Sequence, residues 1–201
     1  MKSEYIGLMK ERRSVRRYTE DEVTLDEIRH LITNGTYAPS AHNSQPWRFV
    51  VILRSPLREE LVRVMSEAFR RDLTKDGKNP DEIERRVEES KRRMMNASHI
   101  LLACLSMKDM WRYGDTRDEF EYTMAVQSVA ASIQNILLAA HASNIGCCWM
   151  CAPLFAKNEV SATLKLPEDY DPQAFVLVGY PDESPEMPRR KPIDDVMLVL
   201  E

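Results

Sequence analysis

The chain has 201 residues, 43% of them hydrophobic and 30% charged, with 28 Lys and Arg against 32 Asp and Glu for a net charge of −4. That balance, with six Gly and 11 Pro, excludes disordered, collagen-like and low-complexity chains, and the length suits one domain over 1–201 with its own core. Residues 1–17 nevertheless hold six basic and two acidic side chains, against 22 and 30 in residues 18–201; an acidic body with a basic leading segment argues against wholesale nucleic-acid binding and leaves room for a local anion site.

Tyr5 to Arg12 predicts a short helix, with Tyr5, Ile6, Leu8 and Met9 set among charges. Thr24 and Glu27 form a capping box at the start of a second helix, whose apolar face is Leu25, Ile28, Leu31 and Ile32 and which Gly35 can stop. Ala38 to Pro46, with two prolines, two serines and an asparagine, predicts a loop, and Phe49 to Leu53 a buried strand. Leu57 to Phe69 reads as helix, and Asn79-Pro80-Asp81-Glu82 starts another that runs through Ile83, Val87 and Met94. Ile100 to Cys104 looks like a strand, and Met107 to Asp118, with Trp111 and Tyr113, a loop or lid.

Met124 to Ala142 is the strongest helix. Its apolar residues cover most of its circumference, so it should be buried. Its most apolar part, Ala130 to Ala142, is too short and too polar to span a bilayer. Cys147 to Met150 and Phe175 to Tyr180 predict strands, with a helix from Lys157 to Leu164 between them and an apolar tail at Val196 to Leu200. Helices and strands do not alternate regularly, which favours an α+β fold around a mainly antiparallel sheet. Met1 to Arg13 carries no apolar leader, and three of the four cysteines, Cys147, Cys148 and Cys151, crowd together as reduced thiols would. The expected location is the cytoplasm, with no membrane partner.

Several chemistries lack their motifs: there is no G-x-G-x-x-G, no phosphate loop, no G-x-S-x-G and no H-E-x-x-H. His30, His42, His99 and His141 are scattered as structural histidines are. Any enzymatic activity therefore points to a cofactor and not to a protein nucleophile. Arg12-Arg13-Ser14-Val15-Arg16-Arg17 is the first positive signal. In an extended chain Arg12, Ser14 and Arg16 share one face, and forked guanidiniums beside a hydroxyl suit a phosphate as well as they suit a solvated surface. Pro188-Arg189-Arg190-Lys191-Pro192 is a second basic cluster, held in a turn by its prolines. The loop Pro39-Ser40-Ala41-His42-Asn43-Ser44-Gln45-Pro46 concentrates hydroxyls and amides that could meet a heterocycle edge or simply stabilise a turn. Cys148 and Cys151 have redox or metal spacing without a second ligand pair, so no metal is expected.

In this order, Arg-Arg-Ser-x-Arg, then Pro-Ser-Ala-His-Asn-Ser-Gln-Pro-Trp-Arg-Phe, the helix Gln127 to Ala140, the run Asn144 to Met150 and Arg189-Arg190-Lys191-Pro192, the chain resembles the FMN-dependent nitroreductase family. Within that family it looks closest to the branch containing the nitroreductase-like domain of the deazaflavin-coenzyme glutamate ligase. The resemblance implies an α+β homodimer with a long buried central helix and FMN at the subunit interface. It implies that Arg12, Ser14 and Arg16 bind the phosphate, ribityl chain or pyrimidine edge, that Arg13 adds backbone contacts, and that Arg189 and Arg190 reach the same phosphate. Pro39, Ser40, Ala41 and Asn43 would approach the flavin from the other subunit, while the backbone around Trp149, Met150 and Cys151 packs over one flavin face. The implied reaction is ping-pong electron transfer from NAD(P)H through FMN to a nitro, quinone or other conjugated acceptor, with no catalytic protein nucleophile. A dedicated biosynthetic reductase and an FMN-sequestering protein are the alternatives.

Overall fold

The computed structural model describes residues 2–200. Among these, six α-helices and a four-stranded sheet follow the order α1 (Lys2–Glu11), α2 (Leu25–Thr36), β1 (Trp47–Ile52), α3 (Pro56–Lys75), α4 (Pro80–Asn96), β2 (His99–Leu105), α5 (Arg117–Ala142), β3 (Gly146–Met150), α6 (Lys157–Leu164) and β4 (Asp171–Gly179). The strands lie β1-β2-β4-β3, and each neighbouring pair is antiparallel. This is the α+β, antiparallel architecture that the sequence predicts.

Both faces of the sheet are covered, so β2 is buried at every position and alternation sorts its side chains between two cores. Leu101, Ala103 and Leu105 face α2 and α5. Ile100, Leu102 and Cys104 face α3, α4 and α6. The Thr24 capping box forms as predicted, with the Thr24 hydroxyl accepting from Glu27 N–H at 3.2 Å and the Glu27 carboxylate accepting from Thr24 N–H at 2.8 Å.

Several boundaries differ from expectation. Helix α3 runs to Lys75, six residues beyond Phe69, because its charged continuation is held by neighbours such as Glu84 on α4, which pairs with Arg70 at 2.7 Å. Strand β4 begins at Asp171 despite Pro172, and the register shift between Ala103 and Cys104 absorbs the proline where the ladder would need its N–H. Helix α5 starts at Arg117, which shortens the expected lid to the turns before it. At 26 residues α5 is long and apolar enough to cross a membrane by length and composition alone, unlike the shorter run judged from sequence. Here its inner face, including Ala125, Val129, Ile133, Ile136 and Ala140, is core, while Val126, Ala130 and Leu138 on other faces are only half-buried.

Gly146 and Gly179 are partners at the end of the β3–β4 ladder, and both lie under the segment that follows α1. A methyl group on Gly179 would sit 2.7 Å from Cδ1 of the buried Tyr18 ring, and one on Gly146 would sit 2.8 Å from Val15 Cγ1. Gly179→Ala is therefore expected to lower stability by about 1–3 kcal/mol through overpacking. A urea denaturation midpoint checks this, and an unchanged midpoint would mean that the segment yields without cost.

Candidate functional site

Residues 12–19 leave α1 and run along the free edge of β3. Val15 N–H donates to Cys147 O and Thr19 N–H to Tyr180 O, both at 2.9 Å. Tyr18 is buried with its hydroxyl on Val15 O at 2.6 Å, and desolvation raises its pKa above the ordinary phenol value. The chain does not stay regularly extended. It turns at Arg16–Arg17, where Glu183 Oε1 accepts both backbone N–H groups at 2.5 and 3.1 Å, and the Arg17 guanidinium meets Glu183 Oε2 at 3.3 Å.

That turn divides the arginines between two recesses that Glu183 borders in common. Arg12 and Arg13 line one of about 200 Å³ with His141, Asn144 and Gly146. Arg16 and Arg17 line the other, of about 480 Å³, with Glu89, Arg92 and Arg93. Arg12 and Arg16 thus do not share a face as strict alternation predicts. Ser14 lies between them, bridging Cys147. Arg13 folds back to cap α1, with Nη1 donating to Lys10 O at 2.5 Å and Arg12 O at 2.9 Å, while its buried Nε has no partner among the described residues.

Arg92 and Arg93 were not singled out from the sequence. On charge-dense α4 an arginine facing a recess has the same sequence context as one facing water. Only the α3–α4 hairpin brings them beside Arg16. Arg93 and Glu89 also border an apolar cavity of about 470 Å³ under the hairpin, walled by Met65, Phe69, Met94 and Met150.

Trp149 and Met150 are half-buried at the end of β3, and Cys151 is exposed just beyond it. Trp149 Nε1 is buried without a hydrogen-bond partner among the described residues. Cys147 and Cys148 point to opposite faces of the sheet, as successive strand residues must. Burial pushes the Cys147 thiol up to about 12, and burial also raises Cys148 against the opposing effect of Arg16. Both stay protonated at neutral pH and are poor ligands or nucleophiles in that form. Among the described residues no group of three or more His, Cys, Asp or Glu is placed to hold a metal ion.

The loop before β1 sits elsewhere. Ala41 N–H donates to Ser128 Oγ at 3.2 Å, and Gln45 N–H to Ser40 Oγ at 3.1 Å. Pro39 and Asn43 are exposed, and Ala41 to Asn43 form a 3-10 turn within the expected loop. Ser128 holds this loop and His141 borders the Arg12 recess, and along α5 they are about 20 Å apart at ~1.5 Å rise per residue. One chain therefore does not bring Pro39, Ser40, Ala41 and Asn43 to Arg12. Arg189 and Arg190 are exposed and make no hydrogen bond or ion pair among the described residues. Ser184 and Pro185 line the Arg12 recess, so the basic turn lies a few residues further along the same path.

The donor set suits a phosphate-bearing cofactor. Guanidiniums, an imidazole and a carboxamide line the smaller recess together with the carboxylates of Glu11 and Glu183, and Arg16, Arg92 and Arg93 line the larger one with Glu89, Asp182 and Glu183. Glu183 borders both recesses, its carboxylate engaged by the Arg16 and Arg17 amides.

The nitroreductase family model matches residues 9–180. A Bacillus subtilis (strain 168) protein provisionally named NAD(P)H nitroreductase YfhC is 26% identical over 188 residues, covering 94% of this chain and 90% of its own. A nitroreductase from Desulfovibrio desulfuricans, so named provisionally and solved in complex with FMN, superposes with a TM-score of 0.76 at 24% identity, covering 98% of this chain and 96% of its own. A BluB-like flavoprotein from Clostridium difficile 630 superposes at 0.81 with 23% identity, covering 98% of each chain.

Proposed function

The chain belongs to the nitroreductase family, and from that membership and the paired arginine-lined recesses we propose an FMN-dependent NAD(P)H oxidoreductase that acts in the cytoplasm as a homodimer, with residues 1–201 as one FMN-binding domain. The observation that carries the reading is the segment Arg12 to Tyr18, laid on the edge of β3 so that Arg12 and Arg16 open onto adjoining recesses.

Arg12 would hold the phosphate, with His141 and Asn144 beside it and Arg190 closing from the basic turn. Ser14 would meet the ribityl chain. Arg16 would lie along the pyrimidine edge, where its charge stabilises negative charge, with Arg93 behind it in an ion pair with Glu89. The backbone around Trp149, Met150 and Cys151 would cover one ring face and exclude water, with the Met150 side chain on the α3–α4 side of the sheet and Trp149 on the other. When bound, FMN supplies the hydride-accepting and electron-donating chemistry that none of these side chains has. Donor and acceptor would use the same opening in turn, the ping-pong order, with a nitro, quinone or other conjugated compound as acceptor.

Two features support the homodimer. The loop of Pro39, Ser40, Ala41 and Asn43 is about 20 Å along α5 from the Arg12 recess, so a second copy can supply it where the first cannot. The tail from Met187 to Leu200 exposes Ile193, Val196, Met197, Leu198, Val199 and Leu200, a run of large apolar side chains of the kind that marks an interaction surface. A second chain would cover it.

The test is direct. Purified protein supplemented with FMN and desalted is expected to retain a flavin spectrum, to elute as a dimer and to oxidise NAD(P)H when a quinone or nitroaromatic is added. A colourless monomer would refute the reading, and a coloured dimer without turnover would favour the sequestering alternative.

A further inference from the structure

Glu121, one turn into α5, is 2% exposed, yet only one of its carboxylate oxygens is engaged. A buried carboxylate is costly unless a donor or a positive charge stands against it. What stands there is the His42 ring, with Nε2 3.2 Å from Glu121 Oε1. The same ring lies flat on Trp111, with centroids 3.8 Å apart and planes within 10°. An indole face attracts a positive ring, as the carboxylate does. His42 also has φ 55°, and Asn43 and Gln45 follow at 53° and 47°, left-handed conformations that a β-carbon disfavours and asparagine tolerates best. The loop does not need this strain to reach α5, because the Ala41–Ser128 hydrogen bond already anchors it. Of the three left-handed residues, His42 is the one whose ring is held on two sides. Its Nδ1 edge has no partner among the described residues, and Trp111 is 55% exposed.

We infer that His42 delivers a proton to the electron acceptor from its free Nδ1 edge, and that Glu121 is the positioning residue behind it, with Trp111 stacked on the ring to hold its plane. The inference rests on the FMN reading above, in which the loop of one protomer borders the flavin held by the other. Reduction of a quinone takes two electrons and two protons. NAD(P)H provides both electrons and one proton as a hydride when its C–H bond breaks, and leaves as NAD(P)+. The second proton leaves Nδ1 of the imidazolium as the new O–H bond forms, giving the hydroquinone, and neutral His42 regains a proton from water. Glu121 holds the Nε2–H throughout, which leaves Nδ1 as the nitrogen that transfers.

Two acceptors separate proton delivery from electron delivery: a benzoquinone, which must be protonated, and ferricyanide, which need not be. His42→Asn suits the left-handed backbone, since asparagine tolerates positive φ, and Glu121→Gln keeps the buried shape. In the FMN-loaded dimer, His42→Asn is expected to lower kcat/KM for the quinone about 100-fold and Glu121→Gln about tenfold, with flavin content and ferricyanide turnover within roughly twofold of the parent. In FMN-free protein, nitrogen-15 NMR is expected to place the His42 ring proton on Nε2, and Glu121→Gln to shift that tautomer balance. His42→Asn identifies the signal among the four histidines. Equal losses with both acceptors, no loss with either, or a ring signal indifferent to Glu121→Gln overturns the inference alone. A parent protein that neither holds FMN nor reduces ferricyanide overturns the FMN reading and this inference with it.

Discussion

Replacing Arg58 by Met is expected to lower the unfolding free energy by about 3–5 kcal/mol, the cost of stranding buried carbonyls that lose their donor. Arg58 is 1% exposed, an unusual position for an arginine. From the first turns of α3 its guanidinium donates to four carbonyls at the end of α4: Met94, Met95, Ala97 and Ser98. The last carbonyls of a helix have no partner within it, and α4 ends on Ala97 in an extended conformation with no C-capping turn of its own. The guanidinium is that cap. Burial, and secondarily the nearby Arg54, push its pKa down to about 10, so it remains charged at neutral pH. Methionine keeps the volume and removes the donors, each stranded carbonyl costing about 1–3 kcal/mol. For a chain of this size the melting temperature should fall by roughly 10–15 °C. Lysine should recover part of the loss through its three donors. A fall of only a degree or two would show that water reaches these carbonyls. Because Arg92 and Arg93 stand in the last turns of α4, an intermediate variant that still folds should also bind FMN less tightly.

The second large effect concerns the anion site. Arg12→Ala with Arg190→Ala is expected to weaken FMN binding about 1000-fold, taking roughly 2 kcal/mol for each charge-assisted contact to the phosphate. Fluorescence titration of FMN-free protein measures this, with circular dichroism checking that both variants remain folded. The single variants carry further information. Arg12 already borders the recess, whereas Arg190 is exposed and must come inward. Loss with Arg12→Ala alone would leave the basic turn without its proposed role, and undiminished binding by the double variant would refute the phosphate assignment.

Much of this architecture was legible from local patterns. The Thr24–Glu27 box, the Asn79-Pro80 start and the apolar run of β2 depend on neighbours a few residues away, and all appear where the sequence places them. Ends set by distant partners were less legible. The extension of α3 depends on Glu84 across the hairpin, and the early start of β4 depends on a bulge opposite Pro172. The site divides in the same way. Arg12, Ser14 and Arg16 could be picked out because they cluster in the chain, but their separation into two recesses follows from Glu183, some 170 residues away, gathering the Arg16 and Arg17 amides. Arg93, His42 and Glu121 carried no local signal: one lay in a run of charges, one looked like a structural histidine, and one like any surface glutamate.

The sequence by itself determined the class of the fold and the family, because periodicity, caps and motif order are properties of residues near one another along the chain. It also determined that cationic groups lead an acidic chain. Which cations face one ligand, which carboxylate is buried and which loop stands about 20 Å from the recess it was expected to serve were decided only by tertiary structure. Those are distances through space between residues far apart in sequence, set by how the sheet edge, the α3–α4 hairpin and α5 pack, and the one-dimensional pattern holds no measure of them.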